Sequence, residues 1–380
     1  MRFEFATATR IVFGPGTVRE VGPAAREMGR RALLVTGCPP ELASGVRAAG
    51  VVCAELAVEG EPTVELVRQG LERARQQGCD VVIGLGGGSA IDAGKAIAAL
   101  LTNPGDLLDY LEVIGTGQSL TAPSAPFIAV PTTAGTGSEV TRNAVLASPE
   151  HRVKASLRSP LMLPRLAVVD PELTLELPRA VTASTGLDAL TQLVEPYVSL
   201  RANPMTDGFC REGMRRVAGA LERAYFEGRD REARADMAWA SLLGGLSLAN
   251  AALGAAHGFA AAIGGMFAAP HGAVCAALLP HVMDANIRAL HARAPESEAL
   301  HRYVAVARIL TARPDAAAED GVVWVGETCR RLAIPPLGSY GIGEADVAVL
   351  VENAARASST KGNPIALTAE ELREILTRAL

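Results

Sequence analysis

Lysine is scarce in this chain: Lys95, Lys154 and Lys361 are its only three. Arginine carries the rest of the positive charge, and 36 Lys+Arg against 41 Asp+Glu leave a formal net charge of −5. No segment gathers a basic face, which excludes a nucleic-acid surface. The six cysteines, Cys38, Cys53, Cys79, Cys210, Cys275 and Cys329, form no CxxC pair. That absence excludes a disulfide framework and a cysteine-based zinc knot, and the thiols read as reduced, small core residues. The start, MRFEFATATRIVF, has no basic stretch followed by an apolar run, so it is not expected to act as a signal peptide. Long apolar runs are also missing. The stretch 238–269 is rich in Ala and Gly but is broken by Asn250 and His257, which reads as buried helix and not a membrane span. These absences predict a cytoplasmic protein without membrane or nucleic-acid partners.

What is present is a globular composition: 49% hydrophobic and 20% charged residues over 380 positions, enough for two domains with their own cores. The first half alternates short apolar runs (10–14, 31–37, 51–56, 79–86, 126–133) with helical patterns (17–29, 41–50, 63–78 and a helix opening near Ser89). Such alternation predicts a parallel sheet covered by helices. RFEF and RIVF are expected to pair as a hairpin at the sheet edge. Beyond LPRLAVVDPELTLELP (163–178) strand signals fade. Helices are expected over 183–197, 204–223, 231–253, 272–291, 296–311, 318–332 and 344–356, with a closing helix capped by Thr368 and Glu371. The reading is an α/β N-terminal domain over 1–170 and an all-α C-terminal domain over 171–380.

Two segments carry phosphate chemistry. In VVIGLGGGSAIDAGKAIA a strand runs into Gly86, Gly87 and Gly88, and a helix opens near Ser89. Without Cβ atoms the turn lets a phosphate approach the backbone, and the helix start offers free N–H groups and its positive dipole end. It is neither GxGxxG nor a P-loop. Asp92 and Lys95, three apart, suit an ion pair as well as a ligand contact. In VPTTAGTGSEVT, Thr132, Thr133, Gly135, Thr136 and Ser138 offer hydroxyl and amide donors to a phosphate or carboxamide; an ordinary hydroxyl-capped turn is the alternative.

The apolar second half holds a scattered polar set. Asp188 and Gln192, four apart, share a helix face, and His257 and His271 lie among small apolar residues where imidazoles need partners. One carboxylate with imidazoles is a sound ligand set for a divalent cation. Two readings stay open. Asp188, Gln192, His257 and His271 hold Fe²⁺ or Zn²⁺ weakly. Alternatively no metal is used: the Gln192 amide donates to the substrate oxygen, and His257 or His271 stabilises it and moves the proton. Glu195 either lines the same cleft or meets an arginine.

GGGSAIDAGKA, VPTTAGTGSEVT, GLDALTQLVEPY and APHG resemble the iron-containing (group III) alcohol dehydrogenases, over nearly the whole chain. The resemblance implies a dehydroquinate synthase-like fold with the active site in the cleft between domains. It implies an NAD(P)-dependent oxidoreductase acting on CH–OH groups and a metal held by one Asp and three His. By it Gly87, Gly88 and Ser89 contact the pyrophosphate, the threonine loop covers the pyrophosphate and nicotinamide, and Lys154 reaches the ribose or substrate. Two positions depart from the pattern: Gln192 replaces a ligand histidine, and Ala261 replaces a histidine near the nicotinamide. Where the family often has Val-Thr-Asp, with the Asp on the adenosine ribose, this chain has Val35-Thr36-Gly37. Without that carboxylate NADP is expected to be accepted, even favoured over NAD, with Arg47, nearby in sequence, a candidate to assist a 2′-phosphate. Low aromatic content, 4%, and small residues around His257 suggest a roomy cleft for a modest alcohol or aldehyde. A homodimer or larger homo-oligomer is expected. The alternatives are a maleylacetate-reductase-like oxo-acid reductase and a lyase or synthase on the same scaffold.

Overall fold

A computed structural model describes residues 2–380. The chain divides into an α/β unit, Phe5–Thr133 with Gly137–Leu175, and a helical unit, Glu176–Leu380 with Ala134–Thr136 and residues 2–4. The division at Leu175/Glu176 lies five residues past the expected 170/171, and the loop tip 134–136 belongs with the helices.

The α/β unit is built on a parallel six-stranded sheet in the order β1-β8-β5-β4-β2-β3. The strands are β1 (Ile11–Phe13), β2 (Ala32–Thr36), β3 (Val52–Ala57), β4 (Val81–Gly86), β5 (Phe127–Pro131) and β8 (Leu166–Val169). β4, β5 and β8 are buried along their whole length. Hence they read as continuous apolar runs and not as alternating ones. Helices α1 (Val21–Met28), α2 (Pro40–Ala48), α3 (Val64–Gln76) and α4 (Gly88–Thr102) join them, with a short α5 (Leu107–Tyr110) after α4. Two apolar clusters, one holding Leu33, Val82 and Ile97 and the other Leu34, Ile83 and Ile128, cover opposite faces of the sheet. Alternating residues of β2 and β4 feed the two faces.

Two strand assignments differ from expectation. RFEF forms no strand; β1 pairs in parallel with β8, Ile11 opposite Ala167. Its ladder partner is thus distant in sequence. An antiparallel hairpin of β6 (Asn143–Ser148) and β7 (Val153–Arg158) stands apart from the sheet. Its turn places Arg152 at φ 54°, a conformation usually marked by Gly or Asn, so no turn residue announced it.

The helical unit comprises α6 (Arg179–Val198), α7 (Pro204–Phe226), α8 (Arg231–Ala251), α9 (Ala255–Met266), α10 (His271–Arg293), α11 (Glu298–Thr311), α12 (Ala318–Arg331), α13 (Val347–Arg356) and α14 (Ala369–Ala379). Thr368 and Glu371 form the expected capping box of α14. His281 sits inside α10, next to Pro280. The apolar run 238–269 is two helices, because Ala252 (φ 63°) ends α8, and α9 leaves it at 97°. Among the described residues no single helix is long and apolar enough to cross a membrane.

Candidate active site

The glycine turn is assembled at the carboxyl ends of three adjacent strands, the usual ligand edge of a parallel sheet. The Gly37 amide donates to the Leu85 carbonyl at 3.3 Å, and the Thr132 amide donates to the Gly86 carbonyl at 2.9 Å. A Cβ at Gly86 would lie 3.0 Å from the Gly37 nitrogen. The strand ends therefore meet at backbone distance, and glycine is required there. At Gly87 a Cβ would meet only the Thr133 side chain, at 3.5 Å. Gly87 is the N-cap of α4, with no side chain bonded to the helix end. Gly37, Gly86, Gly87, Gly88, Ser89, Thr132 and Thr133 thus surround an uncapped helix start, a chemistry that suits a pyrophosphate.

Asp92 and Lys95 are buried beneath this turn. The Lys95 ammonium donates to the Ser138 carbonyl (3.1 Å), the Thr141 hydroxyl (2.9 Å) and the Asn143 carbonyl. It also stands 3.0 Å from Asp92 Oδ1, while Asp92 Oδ2 accepts from the Val145 amide. With three oxygen partners besides the carboxylate, the ammonium and Asp92 together pin α4 to the segment after the threonine loop. Lys154 pairs with Glu61 at 2.9 Å. Arg47 makes a two-pronged bond to Glu55 (2.7 and 2.9 Å) and donates to the Pro40 carbonyl (2.8 Å), so each of its three nitrogens is already engaged once.

The helical unit collects the polar set. Along α6 lie Asp188, Gln192 and Glu195; His257 stands in the first turn of α9; His271 opens α10, with Cys275 one turn on. Gly272 permits this packing, since a Cβ there would lie 2.5 Å from the Ser184 carbonyl of α6. Asp188 Oδ1 lies 3.6 Å from His257 Nε2 and 3.7 Å from His271 Nε2. Cys275 Sγ is 3.7 Å from His271 Nε2. One ligand atom from each of Asp188, His257, His271 and Cys275 falls within 4.8 Å of all the others. The tip of the threonine loop reaches the same helix: a Cβ at Gly135 would lie 2.7 Å from Thr185 Cβ, one turn before Asp188.

Glu195 supports this cluster from behind. Its Oε2 is 2.6 Å from His257 Nδ1, and its Oε1 accepts from the Ala256 amide at 2.8 Å, at the positive end of α9. A carboxylate on one imidazole nitrogen fixes the tautomer and leaves the other a free acceptor. His257 Nε2 and Asp188 Oδ1 are buried and without a hydrogen-bond partner. Gln192, buried beside Asp188, donates from Nε2 to Asp188 Oδ2 at 3.0 Å.

The charges agree with these orphaned atoms. Burial disfavours an imidazolium at His257, but Cys275, Glu195 and Asp188 outweigh it, and its pKa stands well above the ordinary value. His271 is raised in the same way by Cys275 and Asp188 against burial. Burial lifts the Asp188 pKa, yet His271 and His257 bring it below the usual carboxylate range. The pocket is thus built to hold positive charge, as protons or as a metal cation that displaces them. Unpaired carboxylate and imidazole atoms at these separations fit a divalent cation.

Asp188, Gln192, His257 and His271 therefore lie together. Glu195, left undecided by the sequence, meets a histidine and not an arginine. Cys275, read as core, is a member of the cluster. Its signal was its spacing, four residues after His271 on one helix.

Comparison with known proteins agrees with both units. Residues 8–171 match the family model described as iron-containing alcohol dehydrogenase, and residues 182–380 match the C-terminal model of the Fe-containing alcohol dehydrogenase family. The 1,3-propanediol dehydrogenase of Citrobacter freundii is 36% identical over 394 residues, covering 99% of this chain and 98% of that protein. The NAD-dependent methanol dehydrogenase of Bacillus methanolicus is 34% identical, covering 97% of each. The crystal structure of a 1,3-propanediol oxidoreductase superimposes with a TM-score of 0.90 at 34% identity over 100% of both chains. The chain belongs to the iron-containing alcohol dehydrogenase family, with the dehydroquinate synthase-like fold. It is an oxidoreductase acting on CH–OH groups.

Proposed function

We propose that this enzyme catalyses the reversible, NAD(P)-dependent oxidation of a short primary alcohol or diol, with a divalent cation held by Asp188, His257 and His271. The observation that carries the metal-dependent reading over the metal-free one is the pair of buried polar atoms without a hydrogen-bond partner, Asp188 Oδ1 and His257 Nε2, converging with His271 Nε2. The small-alcohol reading rests on the 1,3-propanediol and methanol dehydrogenases that the chain resembles.

A cation held by Asp188, His257 and His271 would supply Lewis acidity, and a bound NAD(P) would supply the hydride acceptor. The protein's own groups do the rest. Glu195 keeps a proton on His257 Nδ1, so the Nε2 lone pair faces the cluster. Gln192 steadies Asp188 through Oδ2 and leaves Oδ1 free. The His271 side chain, 33% exposed where His257 is 5%, is the point where solvent and a substrate oxygen reach the cluster. Position 261 is alanine and offers no proton.

Gly37 at the end of β2 leaves no carboxylate to repel a 2′-phosphate, which supports NADP as well as NAD. Because Arg47 is tied to Glu55, we expect the two cofactors to bind within about tenfold of each other, a difference of roughly 1.4 kcal/mol. The test uses chelator-stripped protein, assayed with short alcohols and diols and with both cofactors. Restoring metal should raise kcat/KM by at least about 100-fold, the effect of several kcal/mol at the transition state. Full turnover in metal-free protein would reject the metal reading, and an exclusive preference for NADH would reject the cofactor reading.

A further inference from the structure

Position 192 supplies an amide, not a third imidazole; its nitrogen is engaged by Asp188 and its oxygen is buried without a hydrogen-bond partner. The Gln192 Nε2 group faces Asp188 Oδ2, the oxygen other than the one near the imidazoles. A swapped amide would set two acceptors against each other, so the carboxylate fixes this orientation. Gln192 Oε1 turns toward α8, where a Cβ on Gly244 would come within 3.6 Å of it. Cys275 stands on the other side of the cluster, fully buried, its sulfur 3.7 Å from His271 Nε2.

We propose that Cys275 is the fourth protein ligand of the cation site, and that its thiolate makes the site one for zinc. This inference rests on the metal-dependent reading above. Zinc bonds of about 2.0–2.1 Å to nitrogen or oxygen and about 2.3 Å to sulfur, at tetrahedral angles, place ligand atoms roughly 3.3–3.6 Å apart. The observed separations of 3.6, 3.7 and 3.7 Å for three pairs in the set come close to those edges, and the remaining pairs lie within 4.8 Å. Cys275 is one helical turn from His271, so both side chains lie on one face of α10. A set of one carboxylate, two imidazoles and one thiolate is borderline-soft, and such donors favour Zn²⁺ over Fe²⁺ and disfavour Mg²⁺ or Mn²⁺. Gln192 then acts as a positioning residue, holding Asp188 through its second oxygen.

The first test needs no substitution: zinc-edge X-ray absorption on the zinc-loaded, full-length enzyme. A sulfur scatterer at about 2.3 Å is expected. A shell of nitrogen and oxygen alone would overturn the role of Cys275 while leaving a metal enzyme. Stripped protein that takes up neither zinc nor cobalt would overturn both readings. The second test replaces zinc with cobalt and follows the near-ultraviolet thiolate-to-cobalt band. The wild type should show it and Cys275→Ser should not, with zinc affinity falling at least about 100-fold, beyond the 10–100-fold usual for an outer-sphere change. Cys275→Ser that keeps both the band and the affinity would end the proposal.

Discussion

Glu195 shows how one side chain sets the chemistry of another. It is buried, at 4% exposure, and divides its two oxygens between His257 Nδ1 and the first turn of α9. Glu195→Gln keeps an acceptor for the Ala256 amide but makes a weaker partner for the imidazole. Zinc affinity should fall 10–100-fold and kcat/KM with it, while folding is retained, because no buried charge is left unpaired. Calorimetric zinc titration beside far-ultraviolet circular dichroism measures both; unchanged zinc affinity would show that Glu195 does not tune His257. The sequence made Asp188, His257 and His271 legible because charged or polar groups among Ala and Gly need partners. Glu195 was ambiguous, because seven residues from Asp188 on a helix is a nearby face but not a named partner. Cys275 was invisible as a site residue, because a thiol in an apolar helix has the look of a small hydrophobe until an imidazole stands beside it.

At the scale of elements, the joint between α4 and the segment after the threonine loop is held by buried charge. Glu139 lies in this joint, 2% exposed, and burial pushes its carboxyl up to about 7, with Lys95 pulling the other way. The sign follows from the raised value. Below about pH 4.5 the group is protonated in folded and unfolded chains alike. As pH climbs through 7 the unfolded chain releases the proton first, and the folded state loses about 3 kcal/mol relative to it. Glu139→Gln removes that dependence, so it should raise the melting temperature by several degrees at pH 8 and by little at pH 5. Equal shifts at both pH values would show that Glu139 is not buried as an ionised group. The strands and helices on either side of this joint were legible from their apolar runs. The hairpin that Lys95 and Asp92 grip was not, because Arg152 turns the chain in a left-handed conformation without the glycine that usually marks one. The partner of β1 was misassigned for a different reason: β8 is more than 150 residues away, and local pattern cannot name a distant ladder.

At the scale of the molecule, the two proposed sites draw on different compact units, and that separation is measurable. The cation cluster draws every member from α6, α9 and α10, whereas the glycine turn belongs to β2, β4, β5 and α4. A ligand stabilises what it binds by mass action, about 2.7 kcal/mol when its concentration is 100 times its dissociation constant. Zinc at that excess should therefore slow amide hydrogen exchange about 100-fold in those parts of α6, α9 and α10 that exchange by cooperative opening. It should leave β2–β4 unchanged. NADP⁺ alone should protect the first turn of α4 and the ends of β4 and β5. The loop tip Ala134–Thr136, which packs with the helices while its flanks belong to the sheet, should respond to both ligands. Exchange mass spectrometry of the free, zinc-loaded and NADP⁺-loaded enzyme reads all three regions at once. Zinc that protects the glycine turn but none of the three helices would place the cation elsewhere, and the acid–imidazole–thiol cluster would then be a structural knot of protonated histidines.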